Sequence, residues 1–293
     1  MADTWIPLRS TQLTAQIDPT GAQLSVLRDA EGRDLLWNGD PAFWPGRAPL
    51  LFPIVGALAG GRYRLGAREF ALPRHGFARG SRFELRQSDV AQATFVLVAT
   101  EASRAVYPFE FELAVRYTLQ GATLEVRTEL RNPGRTDLPA SFGHHPAFRW
   151  PLPYGEPRAA HRIEFEQEEP AAVRRLDAQG LLKPASEPTP VRGRQLTPTD
   201  AMFEPDVLIF DALRSRSLTF GVAGRPRIRV DFPDSPYLGL WSKQQAPFLC
   251  IEPWHGIADP AGFSGEFTVK PGVFILPPGT TRAMTMSITL TTS

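Results

Sequence analysis

The chain has 293 residues, 32 Lys and Arg against 31 Asp and Glu, and a formal net charge of +1. That balance excludes the basic footprint of a nucleic-acid or anionic-membrane binder, so neither nucleic acid nor membrane is expected as a partner. Hydrophobic residues make up 42% and charged residues 22%, which excludes disorder as the main theme, and the single cysteine, Cys250, excludes an intrachain disulfide and a multi-cysteine zinc site.

No stretch approaches the roughly 20 apolar residues that a spanning helix needs. The start, Met1-Ala-Asp-Thr-Trp-Ile-Pro7, lacks the basic segment and long apolar run of a signal peptide, so a cytoplasmic location is expected. The 29 prolines and 24 glycines are spread along the chain and leave little room for long helices.

In chain order, residues 62–65 and 69–72 read as short strands around a Gly66 turn, and 94–99 as a buried strand. The clearest pair is 109–119 with 122–130. In the first, Phe109, Phe111, Leu113, Val115, Tyr117 and Leu119 alternate with more polar residues; in the second, Leu124, Val126 and Leu130 do so. Alternation with period two gives one wet and one buried face, and Gln120-Gly121 supplies the turn. Residues 151–157 and 183–199 read as Pro-rich loops, and 171–182 as the best, short, helix candidate. Further strands are expected at 228–232, 237–241, 248–252 and 273–276, and at the end, where Met284, Met286, Ile288 and Leu290 alternate with hydroxyl side chains. Many strands without regular intervening helices argue for an all-β, antiparallel sandwich in one domain, 1–293.

Few residues can carry chemistry. Of the five histidines, His75 lies in Pro73-Arg-His-Gly-Phe-Ala-Arg79, and His144 and His145 lie in Ser141-Phe-Gly-His-His-Pro-Ala-Phe148. The plainer reading of His75 alone is a loop residue packed beside Phe77. Gly76 permits close approach of a backbone or ligand. Adjacent residues on an extended backbone face opposite ways, and Pro146 favours extension at His145. The pair therefore makes a poor metal chelate, and one histidine can enter a site while the other turns away. Glu252 ends the run Phe248-Leu-Cys-Ile-Glu, which does not alternate. Both faces of that strand are expected to be buried, and desolvation would raise the carboxyl pKa towards the range useful for proton transfer. P-loop, dinucleotide-fold and nucleophile-elbow signatures are absent from the sequence. A glycosidase carboxylate pair stays open.

Six stretches, taken in order, resemble the aldose 1-epimerase (galactose mutarotase) family, specifically its LacX-like branch. They are Leu51-Phe-Pro-Ile-Val-Gly56, Arg74-His-Gly-Phe-Ala-Arg79, Tyr107-Pro-Phe-Glu-Phe111, Ser141-Phe-Gly-His-His-Pro-Ala-Phe148, Tyr237-Leu-Gly-Leu-Trp-Ser-Lys243, and Cys250-Ile-Glu-Pro-Trp254 with Gly256-Ile-Ala-Asp259. The resemblance implies a galactose mutarotase-like supersandwich with a sugar cleft on one sheet. It also implies cofactor-free exchange of α- and β-anomers of a small-molecule aldose. On that pattern Glu252 matches the general base, His145 the general acid, and His75 the second active-site histidine. Asp206, Arg74, Trp241 and Lys243 fall to substrate binding, and no metal is implied. The branch often carries an arginine after the Phe-Pro run where this chain has Ala57; Arg62 is a nearby replacement candidate. His144 and His255 stand where relatives have other residues and are not carried over as catalytic. Arg74 and Arg79 beside His75 keep a sugar-phosphate epimerase open, and a non-catalytic carbohydrate-binding sandwich is the further alternative. The oligomeric state is not specified by the sequence.

Overall fold

The computed structural model of the chain describes residues 5–292. Its largest element is a nine-stranded antiparallel sheet. The strands run across it as Gln195–Leu196, Arg162–Phe165, Ser217–Gly221, Arg227–Asp231, Thr281–Thr291, Thr123–Arg131, Glu112–Gln120, Gln92–Val98 and Glu84–Ser88. Next to its central strand, Thr123–Arg131 is flanked by two partners, with Val126 opposite both Tyr117 and Met286. The alternating residues Leu113, Val115, Tyr117, Leu124, Val126, Met284, Met286 and Ile288 are all buried, so the period-two pattern marks the face turned to the core.

A second, six-stranded sheet covers that face. It runs Leu208–Phe210, Tyr237–Trp241, Phe248–His255, Phe142–His144 and Leu50–Leu51, and Ala147–Arg149 also pairs with Phe248–His255. Leu238, Leu240, Leu249 and Ile251 belong to the same apolar cluster as the inner face of the large sheet. The alternate residues of those two strands, Tyr237, Trp241, Cys250, Glu252 and Trp254, face the other way. Phe248–His255 is thus buried on both sides, which is why its sequence does not alternate. A three-stranded sheet, Ile6–Arg9, Leu13–Asp18 and Gln23–Asp29, adds Leu8, Leu13, Ile17 and Leu24 to the core.

The expected helix at 171–182 does not form. Isolated bridges tie Val173 to Glu187, Arg174 to Ile209 and Leu176 to Leu182, and the Asp177 carboxylate accepts from the backbone N–H groups of Gln179 and Leu181 to close a turn at Gly180. Side-chain capture of backbone donors competes with helix, and here it wins. The α-helix among the described residues is instead Glu101–Val106, started by a capping box between Thr100 and Ser103.

Candidate active site

The outward face of the six-stranded sheet is the floor of a cavity of about 310 Å³, within the roughly 300–1,000 Å³ of small-molecule sites. Glu252 enters from the strand Phe248–His255 and is 1% exposed. Opposite it on the neighbouring strand stands Gly239, and a Cβ there would lie 2.5 Å from the Trp254 ring. The missing side chain leaves that space to the Trp254 ring, which lines the cavity with Glu252.

His145 follows the strand Phe142–His144 and points its Nε2 at Glu252 Oε2, 3.0 Å away. His144 turns to the opposite side, against Phe142 and into the packing between the sheets with Tyr117, Val126 and Met286. Neither histidine is a solvent residue: they are 3% and 8% exposed. His75 comes from the segment after the Arg68–Ala71 strand, and its ring sits edge-on to that of His145 at 5.9 Å. The Gly56 N–H donates to His75 Nδ1 at 3.1 Å, which leaves the proton of the neutral ring on Nε2. His75 and Asp206 both have a left-handed backbone, at φ 68° and 74°. Such geometry costs on the order of 1 kcal/mol or more and persists only where neighbours impose it. For His75 the neighbour is the Phe52-to-Gly76 bridge, where a Cβ at Gly76 would lie 2.3 Å from the Phe52 carbonyl oxygen.

Burial drives the electrostatics. It pushes the Glu252 carboxyl well above the usual carboxylate range; Arg74 pulls back, Asp206 adds to the rise, and the Trp254 indole beside it pulls back slightly. Burial pushes His145 down to about 3, opposed by a contact with the residue's own backbone and helped by Arg74 and Arg79. His75 is lowered well below 6.5, first by burial and then by His145, Arg74 and Arg79. At neutral pH, His75 is therefore a neutral, fixed Nε2–H donor. His145 and Glu252 hold one proton between them, because adding a second is opposed by burial of the imidazole and removing the first by burial of the carboxylate.

The expected binding residues also line the cavity: Arg74, Asp206, Trp241 and Lys243. Arg74 Nη2 lies 3.5 Å from Asp206 Oδ2, and both side chains are over a third exposed, so the pair is weak and free to open towards a ligand. Arg62, the candidate substitute for the arginine missing at Ala57, does not line this cavity. It lines a separate cavity with Tyr63, Phe263 and Phe267. Arg74 is the arginine near Ala57, since both lie within 4 Å of the Cβ position at Gly180. Arg79 joins Arg74 in the wall and donates to its carbonyl oxygen at 3.0 Å. Phe148 is buried in the core and not in the cavity wall. Trp44 was not expected here: it lines the cavity and stacks on His145. Its surroundings, Pro41, Pro45 and Gly46, carry no signal beyond a turn.

His145, Cys250 and Glu252 present ligand-type atoms within 4.8 Å of one another, the one such triad among the described residues. Its chemistry suits a metal poorly. Burial and the neighbouring Glu252 push the Cys250 thiol well up, whereas coordination needs the thiolate, and the other two groups already bond each other.

The family model described as Aldose 1-epimerase matches residues 6–273. Protein LacX of Lactococcus lactis subsp. lactis, in plasmid and chromosomal forms, is 32% identical over 295 residues, spanning 97% of this chain and 99% of the relative. A galactose mutarotase related enzyme from Lactobacillus acidophilus superposes with a TM-score of 0.90 at 28% identity, covering 99% of this chain and 98% of that one. A galactose mutarotase-like protein from Lactobacillus casei ATCC 334 does so with a TM-score of 0.90 at 27% identity, covering 98% and 100%.

Proposed function

The chain belongs to the aldose 1-epimerase family, and we propose that it is an isomerase interconverting the α- and β-anomers of an aldose by acid–base catalysis among His75, His145 and Glu252. The observation that carries this reading is the 3.0 Å contact of His145 Nε2 with Glu252 Oε2 inside a cavity that His75 also lines. Opening a pyranose hemiacetal needs one proton removed from O1 and one delivered to O5. Glu252 as carboxylate takes the O1 proton, the O1–C1 double bond forms, the C1–O5 bond breaks, and O5 takes the proton from the His145 imidazolium. Rotation about C1–C2 presents the other face of the carbonyl. Closure returns both protons. No electrons change hands, and the pair ends with the one proton it started with.

The other residues fit supporting roles. His75 offers its Nε2–H as a hydrogen-bond donor that polarises the ring oxygen. Asp206 and Arg74 supply an acceptor and a donor for hydroxyls, and the Trp241 and Trp254 rings give the sugar an apolar wall. Exchange between anomers, followed by polarimetry or by saturation-transfer NMR, tests the reading. Glu252→Gln should lower kcat by about 10²–10⁴-fold. Full activity in that variant overturns the mechanism, and saturable sugar binding without faster exchange makes the protein a carbohydrate-binding sandwich instead.

A sugar phosphate is the second substrate reading, favoured by three cations, Arg74, Arg79 and Lys243, along one cavity. Higher kcat/KM for glucose 6-phosphate than for glucose supports it, and equal or better turnover of the neutral sugar removes it.

A further inference from the structure

His145 lacks the usual means of holding an imidazole at a set angle. A working histidine normally donates or accepts through its second ring nitrogen, and that bond fixes ring and tautomer. Here Nδ1 is buried and reaches no group beyond the residue's own backbone. The ring is clasped by aromatic groups instead. Trp44 lies nearly parallel to it, with centroids 5.0 Å apart and planes at 27°. Trp241 and His75 meet it edge-on, each at 5.9 Å.

Trp44 is itself held from two sides. Its ring packs edge-on against Trp241 at 5.4 Å, and its carbonyl oxygen accepts from Trp37 Nε1 at 2.9 Å. The preceding carbonyl, of Phe43, accepts from Lys243 Nζ at 2.6 Å. Lys243 stands two residues beyond Trp241, so one stretch of chain supplies both the edge contact to His145 and the tie on the Trp44 turn.

We propose that Trp44 is a positioning residue for His145, and that Lys243 acts on the site as the latch of the Trp44 turn. The catalytic part of this inference rests on the acid–base reading of His145; the positioning part does not. A flat indole over an imidazole restrains ring rotation, and its electron-rich face attracts the imidazolium. That attraction favours moving the shared proton from Glu252 to His145 Nε2, the state that opens the sugar ring. The charged and titratable groups facing His145 are Glu252, His75, Arg74, Arg79, Asp206 and Lys243 along the cavity and the Cys250 thiol, within 4.8 Å of its ring nitrogen.

The test uses Trp44→Leu, Trp44→Phe and Lys243→Met. Two readouts are taken: anomer exchange from pH 4 to 9, and the side-chain ¹⁵N signals of His145 in the ligand-free protein. Trp44→Leu should lower kcat about ten-fold, with KM changed no more than about two-fold, and should shift or broaden the His145 nitrogens. Trp44→Phe should recover most of kcat, which a simple folding defect would not produce. Lys243→Met should fall between them and broaden the same signals. A loss confined to KM, or His145 signals unchanged in Trp44→Leu, overturns the proposal. If the unaltered protein exchanges no anomers, the epimerase reading fails, and the nitrogen signals still decide whether Trp44 sets the ring.

Discussion

His144 and His145 are neighbours in the chain and are buried on opposite sides of it, one in the packing between the two sheets and one in the cavity. Burial pushes His144 down to about 3, against 6.5 for an ordinary imidazole. The unfolded chain therefore takes up a proton that the folded chain refuses. Stability present above pH 6.5 is lost as pH falls towards 3, by about 1.4 kcal/mol per unit. His144→Gln, which does not titrate, should lose less stability on acidification. Urea midpoints at pH 7.5 and 4.5 should show the wild type falling by about 2–3 kcal/mol more than the variant. Parallel losses would mean that His144 is not held neutral.

The His145–Glu252 pair, acting as proposed, should set an unusual pH profile. With one proton shared between His145 and Glu252, the acid limb of kcat/KM belongs to adding a second proton to a lowered imidazole, and the basic limb to removing the first from a raised carboxyl. The acid limb should therefore lie well below 6.5, and the basic limb well above the normal carboxylate range. Initial-rate polarimetry across pH, corrected for spontaneous mutarotation, measures both. An acid limb near 6.5 would show an ordinary, solvated imidazole in the acid's place.

Arg74 and Asp206 should act on binding more than on chemistry, because neither touches the His145–Glu252 contact. Arg74→Ala and Asp206→Asn should raise KM by roughly ten-fold, about 1.4 kcal/mol, consistent with loss of one hydrogen bond to a charged group. Arg74→Ala has a further effect, since its charge holds the Glu252 pKa down. Removing it should move the basic limb of the profile to still higher pH. A basic limb that stays in place would mean that Arg74 is solvated away from the carboxylate.

How much of this was legible depended on whether a feature was local. The strand Tyr237–Trp241 has the bounds its pattern suggested, and the opposed faces of His144 and His145 follow from extension before Pro146. Phe248–His255 runs three residues past the expected end at Glu252, through Pro253, because Leu238 and Tyr237 supply a partner strand that a single sequence does not display. The helix at 171–182 failed because Asp177 captured backbone donors for a turn, a competition that residue spacing alone does not decide. Glu101–Val106 was too short to show an apolar period. Within the site, the family motifs carried His75, His145 and Glu252 to one cavity, and no motif contained Trp44. Its turn is tied at the preceding carbonyl, of Phe43, to Lys243, 200 residues further along the sequence. Arg62 stayed an open candidate in the sequence for the same reason. Its hairpin, Arg62–Leu65 with Arg68–Ala71, directs it into another cavity.

Gly239 offers a test of the cavity floor that leaves every catalytic group in the chain. It pairs with Glu252 across the sheet, and the Trp254 ring occupies the place where its Cβ would stand, 2.5 Å from the nearest ring atom. Neighbouring Gly143 is closed off by the same ring, 2.7 Å from its Cβ position. Trp254 therefore has no free direction along the floor. Gly239→Ala must displace either the indole or the strand, at about 1–3 kcal/mol of overpacking. Displacement of the indole opens the wall beside Glu252 and admits water; relief of burial, the largest cause of the raised carboxyl pKa, should outweigh loss of the Trp254 contact that holds it down, and so draw the basic limb of the pH profile down. Gly239→Ala combined with Trp254→Phe, which shortens the ring, should recover part of the lost stability. Thermal unfolding together with the pH profile checks both parts. A single variant that is fully stable and has an unshifted basic limb would show that the Trp254 ring does not shield Glu252.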